Sequence, residues 1–179
     1  MIEHLQIAPY DPAWPVAFEV ERDRLARALG SLARRIDHHG STSVVGLDAK
    51  PVIDIQISVD ALQPIDAYGA RLSALGYTHM PDPDDAVCPF FHRPQMWPHT
   101  HHVHVVLHGG EEERRTLAFR DYLRDHADVM REYAALKRQL ALQYAATDHT
   151  AREAYAGAKT EFIERVIQLA LAAGYRHLS

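Results

Sequence analysis

The feature that most limits the fold of this chain is the absence of helix-breaking residues near its end. Residues 111–174 contain no proline and, before Gly174, only one glycine, Gly157. Apolar side chains recur there at three- and four-residue intervals, which predicts three helices. These helices are marked by residues 117–123, 129–144 and 162–170. We therefore expect residues 111–176 to form a helical half.

Upstream of Gly109 the pattern alternates between helix-like and strand-like segments. Asp11 and Pro12 favour the start of a helix, and Gly30 favours its end. Apolar runs between turn-forming residues predict a sheet whose last two strands pair antiparallel. The predicted helices cover 11–30 and 64–75, and the predicted strands cover 35–39, 52–59, 77–80, 87–93 and 100–107. The fold class is then α+β or α/β, with a mixed β-sheet core over 1–109, flanking helices, and the helical half packed on it as one domain of 1–179.

Composition narrows the class of protein. A chain of 179 residues that is 47% hydrophobic and 24% charged can build an apolar core without covalent staples. The formal net charge of −5 argues against broad nucleic-acid binding. No apolar run is long enough to span a membrane, and the N-terminus lacks a secretory pattern, so we expect a cytoplasmic protein.

Polar side chains lie on one face of the predicted strand over 52–59. Because side chains alternate along a strand, Asp54 and Gln56 share a face. A carboxylate on a buried strand is costly unless it is paired or holds a metal ion. The preceding turn, Gly40-Ser41-Thr42, can offer N–H and hydroxyl groups to a phosphate. This pattern predicts a metal and phosphate site with Asp54 as the metal ligand and Gln56 beside it; alternatively, Asp54 only caps the turn.

Histidines crowd a second segment, 99–108. Strand alternation places His102 and His104 on one face and His101 on the other. If this strand lies beside the strand of Asp54, the three side chains can form a transition-metal site or supply an acid or base near neutral pH. The alternatives are a histidine that only hydrogen-bonds Asp54, or a half-exposed strand face.

Cationic side chains complete the candidate phosphate site. Lys50, next to Pro51, can compensate the charge of a substrate anion, although a solvated loop lysine is the simpler interpretation. On the predicted helices, Arg120 and Lys159 can reach a phosphate, or can belong to an ordinary charged helix surface.

In combination, these residues resemble the GrpB family over nearly the whole chain. The resemblance is carried by Tyr10-Asp11-Pro12 with Trp14-Pro15 and Phe18, by His39 to Pro51 with Ile53-Asp54-Ile55, by His101 to Val105, by Phe119 to Arg124, and by Tyr155, Lys159, Phe162 and Ile163. Members of that family stand alone or are fused to a dephospho-coenzyme A kinase, which implies a coenzyme A pathway enzyme as a partner.

The resemblance also implies a fold similar to the DNA polymerase β-like nucleotidyltransferase superfamily. Its signature is Gly followed by Gly or Ser and, about a dozen residues later, an acid, an apolar residue and a second acid. Here Gly40-Ser41 and Asp54-Ile55-Gln56 match except at the last position. Active members hold two Mg²⁺ ions with such acids for attack on an α-phosphate. Gln56 and the histidine strand reduce the negative charge available for two ions.

Three functions follow as hypotheses. In the first, the protein transfers a nucleoside monophosphate from a nucleoside triphosphate to a small molecule or protein, with Mg²⁺ or Mn²⁺, and Asp54, Gln56 and His104 are catalytic. In the second, it is a catalytically degenerate module that binds a nucleotide or coenzyme A. In the third, Asp54, His102 and His104 form a site for an ion such as Zn²⁺.

Overall fold

The computed structural model describes residues 6–144 and 149–175 of the chain. The helices are α1 (Ala13–Leu29), α2 (Asp66–Ala74), α3 (Glu111–Asp125), α4 (Ala127–Gln143), α5 (His149–Gly157) and α6 (Thr160–Ala172). The strands are β1 (Arg35–His39), β2 (Ile53–Val59), β3 (Thr78–His79), β4 (Phe90–Arg93) and β5 (His101–Leu107). None of the helices in these two ranges is both long and apolar enough to cross a membrane.

The five strands form one mixed sheet in the order β1-β2-β5-β4-β3. Strands β2 and β5 pair parallel, whereas the other neighbours pair antiparallel. The parallel pair requires a long crossover, which the chain from Asp60 to Thr100 supplies through α2 and the β3–β4 edge. The prediction of a mixed sheet with flanking helices and a helical C-terminal half is confirmed.

Strand β2 is buried on both faces, and its two faces have different chemistry. Ile53, Ile55 and Ile57 pack into an apolar core with Leu25 of α1 and Leu72 of α2. The opposite face carries Asp54, Gln56 and Ser58, of which the last two are fully buried. Helix α3 lies against that polar face, since it contacts both β1 and β5.

A second apolar cluster joins the helical half to the turn that follows β1. Val44 and Leu47 from that turn pack with Leu123 of α3, Tyr133 of α4 and Val166 of α6. The turn is thus held between the sheet and the helices, and its backbone position is fixed from both sides.

The helical half differs from the prediction in one respect. It contains a fourth described helix, α5, in addition to the three that the apolar pattern indicates. Helix α5 ends at Gly157 and α6 begins at Thr160, so Tyr155 and Lys159 belong to different segments, but Lys159 Nζ still lies 4.3 Å from the centroid of the Tyr155 ring. The prediction missed α5 because it is only nine residues long and buries little besides Tyr155.

Candidate metal and anion site

The register of the sheet brings the predicted polar residues together. In the parallel pair β2–β5, Asp54 lies opposite His102 and Gln56 lies opposite His104. In the antiparallel pair β1–β2, His39 lies opposite Asp54. His102 Nδ1 is 3.1 Å from Asp54 Oδ1, at which distance the imidazole N–H donates to the carboxylate. Within the described residues, this histidine, rather than the 40–43 turn, hydrogen-bonds Asp54.

The turn after β1 passes directly over Asp54. Gly40 has a φ of +67°, and a Cβ atom built on it would lie 2.5 Å from Asp54 Oδ2. Only glycine satisfies both conditions, since the left-handed backbone and the missing side chain are required together. Ser41 follows and lines the cavity in front of Asp54.

Asp54, His102 and His104 offer three donor atoms that all lie within 4.8 Å of one another. Donors bound to one ion at about 2.1 Å lie roughly 3 Å apart, so modest rotations would close this set around an ion. One carboxylate and two imidazoles suit Zn²⁺ or another transition ion better than Mg²⁺, which prefers oxygen ligands. His39, edge-on to His104 at 4.8 Å, has a buried Nε2 without a hydrogen-bond partner in the described chain. His39 does not line the cavity in front of Asp54, so the fit to an ion rests on Asp54, His102 and His104.

The charges at the site favour an ion and an anion. Burial raises the pKa of Asp54, but the hydrogen bond and charge of His102 hold it well below its usual range. Burial lowers the pKa of His104 to about 4 and that of His39 to about 3. His104 is therefore a neutral imidazole at pH 7, the form in which histidine binds a metal.

A cavity of about 340 Å³ opens in front of Asp54 and is ringed by cations. Lys50 comes from the loop before β2, Lys137 from α4, Arg152 from α5, and Lys159 from the start of α6. Burial lowers the pKa of Lys137 to about 7 and that of Lys159 to about 8, and the two cations repel one another. Burial also lowers the pKa of Lys50. Four basic side chains around one cavity create a positive site, and a bound anion would favour the charged forms of Lys137 and Lys159.

Three of the predicted site residues lie away from this cavity. Gln56 is fully buried beneath α3, where its Oε1 accepts a hydrogen bond from the Thr116 hydroxyl. Thr42 is buried in the turn and donates to the carbonyl of Val52 at 3.1 Å. Arg120 is anchored to the carbonyl of His38 at 3.0 Å and lines a different cavity beside β1. The structure therefore does not bring these three side chains to Asp54.

Arg152 was missed by the sequence prediction, and Lys137 and Tyr155 were left out of the predicted site. The available signal was composition: the chain contains only three lysines, Lys50, Lys137 and Lys159, among its 19 basic residues. All three line the same cavity.

The chain is similar to proteins of one family across most of its length. A family model described as GrpB protein matches residues 4–169. A UPF0157 protein of Pseudomonas aeruginosa is 38% identical over 174 residues, which cover 96% of this chain and 69% of that protein. The crystal structure of the conserved protein GrpB from Enterococcus faecalis has a TM-score of 0.83 at 30% identity and covers 96% of this chain and 100% of that chain.

Some relatives carry an enzyme name. A dephospho-CoA kinase of Mycolicibacterium paratuberculosis is 32% identical over 158 residues. That match covers 75% of this chain but only 39% of the relative. The likeness is therefore to part of a longer protein.

Proposed function

We propose a function that starts from the fact that the chain belongs to the GrpB family. In this proposal the protein binds a nucleoside triphosphate with one divalent ion. A hydroxyl of a small-molecule or protein acceptor attacks the α-phosphorus and gives up its proton, so the nucleoside monophosphate is transferred to that oxygen and pyrophosphate leaves. The observation that carries this proposal is the convergence in one cavity of the Asp54–His102–His104 donor set and four cationic side chains. Neither group alone is informative, since histidine–aspartate pairs and basic surfaces are both common.

The cations account for triphosphate binding. Lys50, Lys137, Arg152 and Lys159 come from four separate elements, and all border the cavity in front of Asp54. Holding like charges together in a half-buried site is unfavourable, and a polyanion relieves the repulsion. The Gly40–Ser41 turn adds a polar edge at which a phosphate oxygen can be placed.

The donor set has one carboxylate and two imidazoles, which is enough to hold one divalent ion but not two. Asp54, His102 and His104 would hold it, and when bound it polarises a phosphoryl oxygen as a Lewis acid. The lysines orient the phosphates and offset the charge that develops during transfer. Mn²⁺ accepts both oxygen and imidazole ligands, so it fits this set better than Mg²⁺, with Zn²⁺ as the alternative.

One observation favours a second candidate, a binding module without transfer activity. Active enzymes of the superfamily carry a second acid at the position that Gln56 occupies here. Gln56 is fully buried under α3, where it is bonded to Thr116. Such a module would bind a nucleotide or coenzyme A through the same cations. A partner in coenzyme A metabolism is consistent with the relatives named dephospho-CoA kinase.

The experiment is a thermal-shift panel of nucleoside triphosphates and coenzyme A, each with Mg²⁺, Mn²⁺, Zn²⁺ or no metal. Parent protein is compared with Asp54→Asn and with Asp125→Asn, a control carboxylate whose partner is the hydroxyl of Tyr175. A ligand at a hundred times its Kd stabilises the fold by about 2.7 kcal/mol. We expect a metal-dependent shift with triphosphates that is lost only in Asp54→Asn.

The other outcomes separate the alternatives. A nucleotide shift without turnover against acceptor mixtures favours the binding module. A Zn²⁺ shift with no response to any phosphate compound favours a metal site with hydrolytic or structural use. An Asp54→Asn protein that binds as well as the parent would show that the site assignment is wrong.

A further inference from the structure

A second cavity, of about 420 Å³, adjoins the cationic one. We call it the aromatic annex and define it by the residues that line it outside the shared border: Met80, His92, Gln95, Trp97, His99 and Glu153. The shared border consists of Lys50, Phe90, His102, Arg152 and Ala156, which line both cavities. The two spaces therefore adjoin each other along these five residues.

The annex is built from flat side chains. His92 and His99 stack at 4.0 Å with an angle of 12° between their planes, and Trp97 meets His99 edge-on at 5.3 Å. Phe90 lies on β4, the strand that also carries His92, and its ring centroid is 5.0 Å from that of His102 on β5. Aromatic rings provide a large, rigid apolar surface that suits another planar ring better than a flexible chain.

Two cations of the shared border also bind the annex wall. Lys50 Nζ is 5.1 Å from the centroid of the Trp97 ring, and the Arg152 guanidinium is 4.5 Å from it. Both cations lie over the Trp97 ring, so a planar ligand at this wall would pack beside them or replace one of them over the ring. A ring that carries phosphates would place its planar part in the annex and its anionic part beside the lysines of the cationic cavity.

We propose that the aromatic annex is the base subsite of the nucleotide, with a planar heteroaromatic ring held against Trp97 while its phosphates occupy the cationic cavity. This inference rests on the proposed function, because it assigns the second part of the same ligand. Gln95 and Glu153, at the rim of the annex, carry the donors and acceptors that the edge of a base requires. The acceptor substrate would then approach from the open side of the cationic cavity.

The test uses the small number of tryptophans in the chain. Trp14 and Trp97 are the only two, and Trp14 is buried in the apolar core beside Tyr10. In a Trp14→Phe background, tryptophan fluorescence reports the annex alone. Three probes are titrated with the divalent ion in excess: adenosine, inorganic tripolyphosphate and ATP.

We expect adenosine and ATP to quench Trp97. Tripolyphosphate should not quench it, although it should shift the emission by drawing Lys50 and Arg152 away from the ring. By calorimetry on the parent, ATP should bind at least tenfold more tightly than tripolyphosphate. Trp97→Leu should remove that gain and leave tripolyphosphate affinity unchanged, whereas Trp97→Phe, which keeps a ring, should retain most of it. Met96→Leu, a neighbouring exposed position outside the annex, is the matched control and should behave as the parent.

The outcomes distinguish this inference from the proposed function. Equal affinities for ATP and tripolyphosphate, with no effect of Trp97→Leu on ATP, would overturn the base subsite and leave the anion site intact. Quenching by adenosine without binding of either phosphate compound would support a ring site but overturn the proposed function. No response to any of the three probes would overturn both.

Discussion

His102 donates to Asp54 across a 3.1 Å contact that joins two parallel strands separated by 48 positions in the sequence. The contact depends on the register of the β2–β5 pair, which places the two residues directly opposite each other. A slip of one residue would turn one of the two side chains to the apolar face of the sheet. Formation of the site and formation of the central strand pair are therefore the same structural event.

Replacing Gly40 by alanine should lower the free energy of unfolding by more than backbone strain alone would, because the new methyl group collides with Asp54. The new Cβ atom would lie 2.5 Å from Asp54 Oδ2, at a φ of +67°. Gly109→Ala is the matched control, because its φ is +68° and its Cβ would meet nothing within 4 Å. We expect Gly109→Ala to lower the free energy of unfolding by about 1–2 kcal/mol and Gly40→Ala to lower it by about 1–3 kcal/mol more.

The two variants should also differ in binding. Gly40→Ala displaces Asp54 and should weaken metal binding, whereas Gly109→Ala should bind as the parent does. Urea denaturation and metal calorimetry measure the two effects. Equal losses of stability and unaltered metal affinity in both variants would show that the turn does not position Asp54.

Restoring an acid at position 56 should not create a second metal ligand. Gln56 is fully buried and its oxygen is bonded to Thr116, so a glutamate there would be a buried carboxylate facing α3. Burial would raise its pKa above the unfolded value, so the cost would be small below about pH 4.3 and would grow as the pH rises. We expect Gln56→Glu to lose about 3 kcal/mol or more at pH 8 and less at pH 5, with metal stoichiometry unchanged.

Gln139→Glu, on the exposed face of α4, is the control and should be nearly neutral at both pH values. The checks are denaturation at the two pH values and metal stoichiometry by calorimetry. A stoichiometry of two ions per chain in Gln56→Glu would show that this side chain reaches the cavity and would favour a two-metal mechanism.

Much of the fold could be predicted from the sequence, because its determinants are local. Asp11 caps α1 by accepting from the N–H of Ala13 at 2.8 Å, as the sequence indicates. Alternation along β2 separates Asp54 from the isoleucines, and the histidine strand forms its predicted antiparallel pair with β4. These features depend on side-chain period and turn residues within a few positions.

The composition of the cavity could not be predicted in the same way, because it depends on packing between distant elements. Lys137 reaches the site because α4 packs on the turn after β1, and its ammonium donates to the carbonyl of Asp48. Arg120, by contrast, lies on α3 and donates to the carbonyl of His38 in β1. Helical period alone does not distinguish these two cations; the tilt and depth of each helix decide which one enters the cavity.

Strands β4 and β5 form a hairpin that carries His92, Trp97 and His99 of the annex. A buried ion pair attaches this hairpin to α1. Both terminal nitrogens of Arg93 donate to Glu21, at 3.0 and 3.1 Å, and the Tyr77 hydroxyl donates to the same carboxylate. Burial raises the pKa of Glu21, but Arg93 and Arg24 lower it below its usual value. Glu21→Ala would leave Arg93 without its partner and should cost about 3–5 kcal/mol.

Glu19→Ala is the control on the same helix, because its pair with Arg22 is exposed and should contribute less than about 1 kcal/mol. Since the pKa of Glu21 is lowered in the folded protein, the contribution of this pair is present above the unfolded pKa and is lost as the pH falls. Denaturation at pH 7 and pH 4 should therefore show a smaller difference between parent and Glu21→Ala at pH 4. A constant difference would mean that the loss comes from packing alone.

Stability should rise with pH above neutrality because of the cavity lysines. Lys137 and Lys159 have folded pKa values of about 7 and about 8, well below the unfolded value of about 10.4. Between these limits the unfolded chain binds more protons than the folded one, so the free energy of unfolding rises, by up to about 1.4 kcal/mol per pH unit for each lysine. A bound anion reverses the shift, and its affinity should therefore fall as the pH rises through 7 and 8.

The measurement is direct because these are two of only three lysines in the chain. Reductive ¹³C-methylation gives one resolvable signal for each, and the titration of each signal reports its pKa with and without tripolyphosphate. Lys137→Met should flatten the rise in stability between pH 7 and 10, whereas Arg131→Met, an exposed position on the same helix, should leave the slope unchanged. Lysine signals that titrate near 10.4 in the free protein would show that water solvates the cavity and that burial does not lower the pKa values of these lysines.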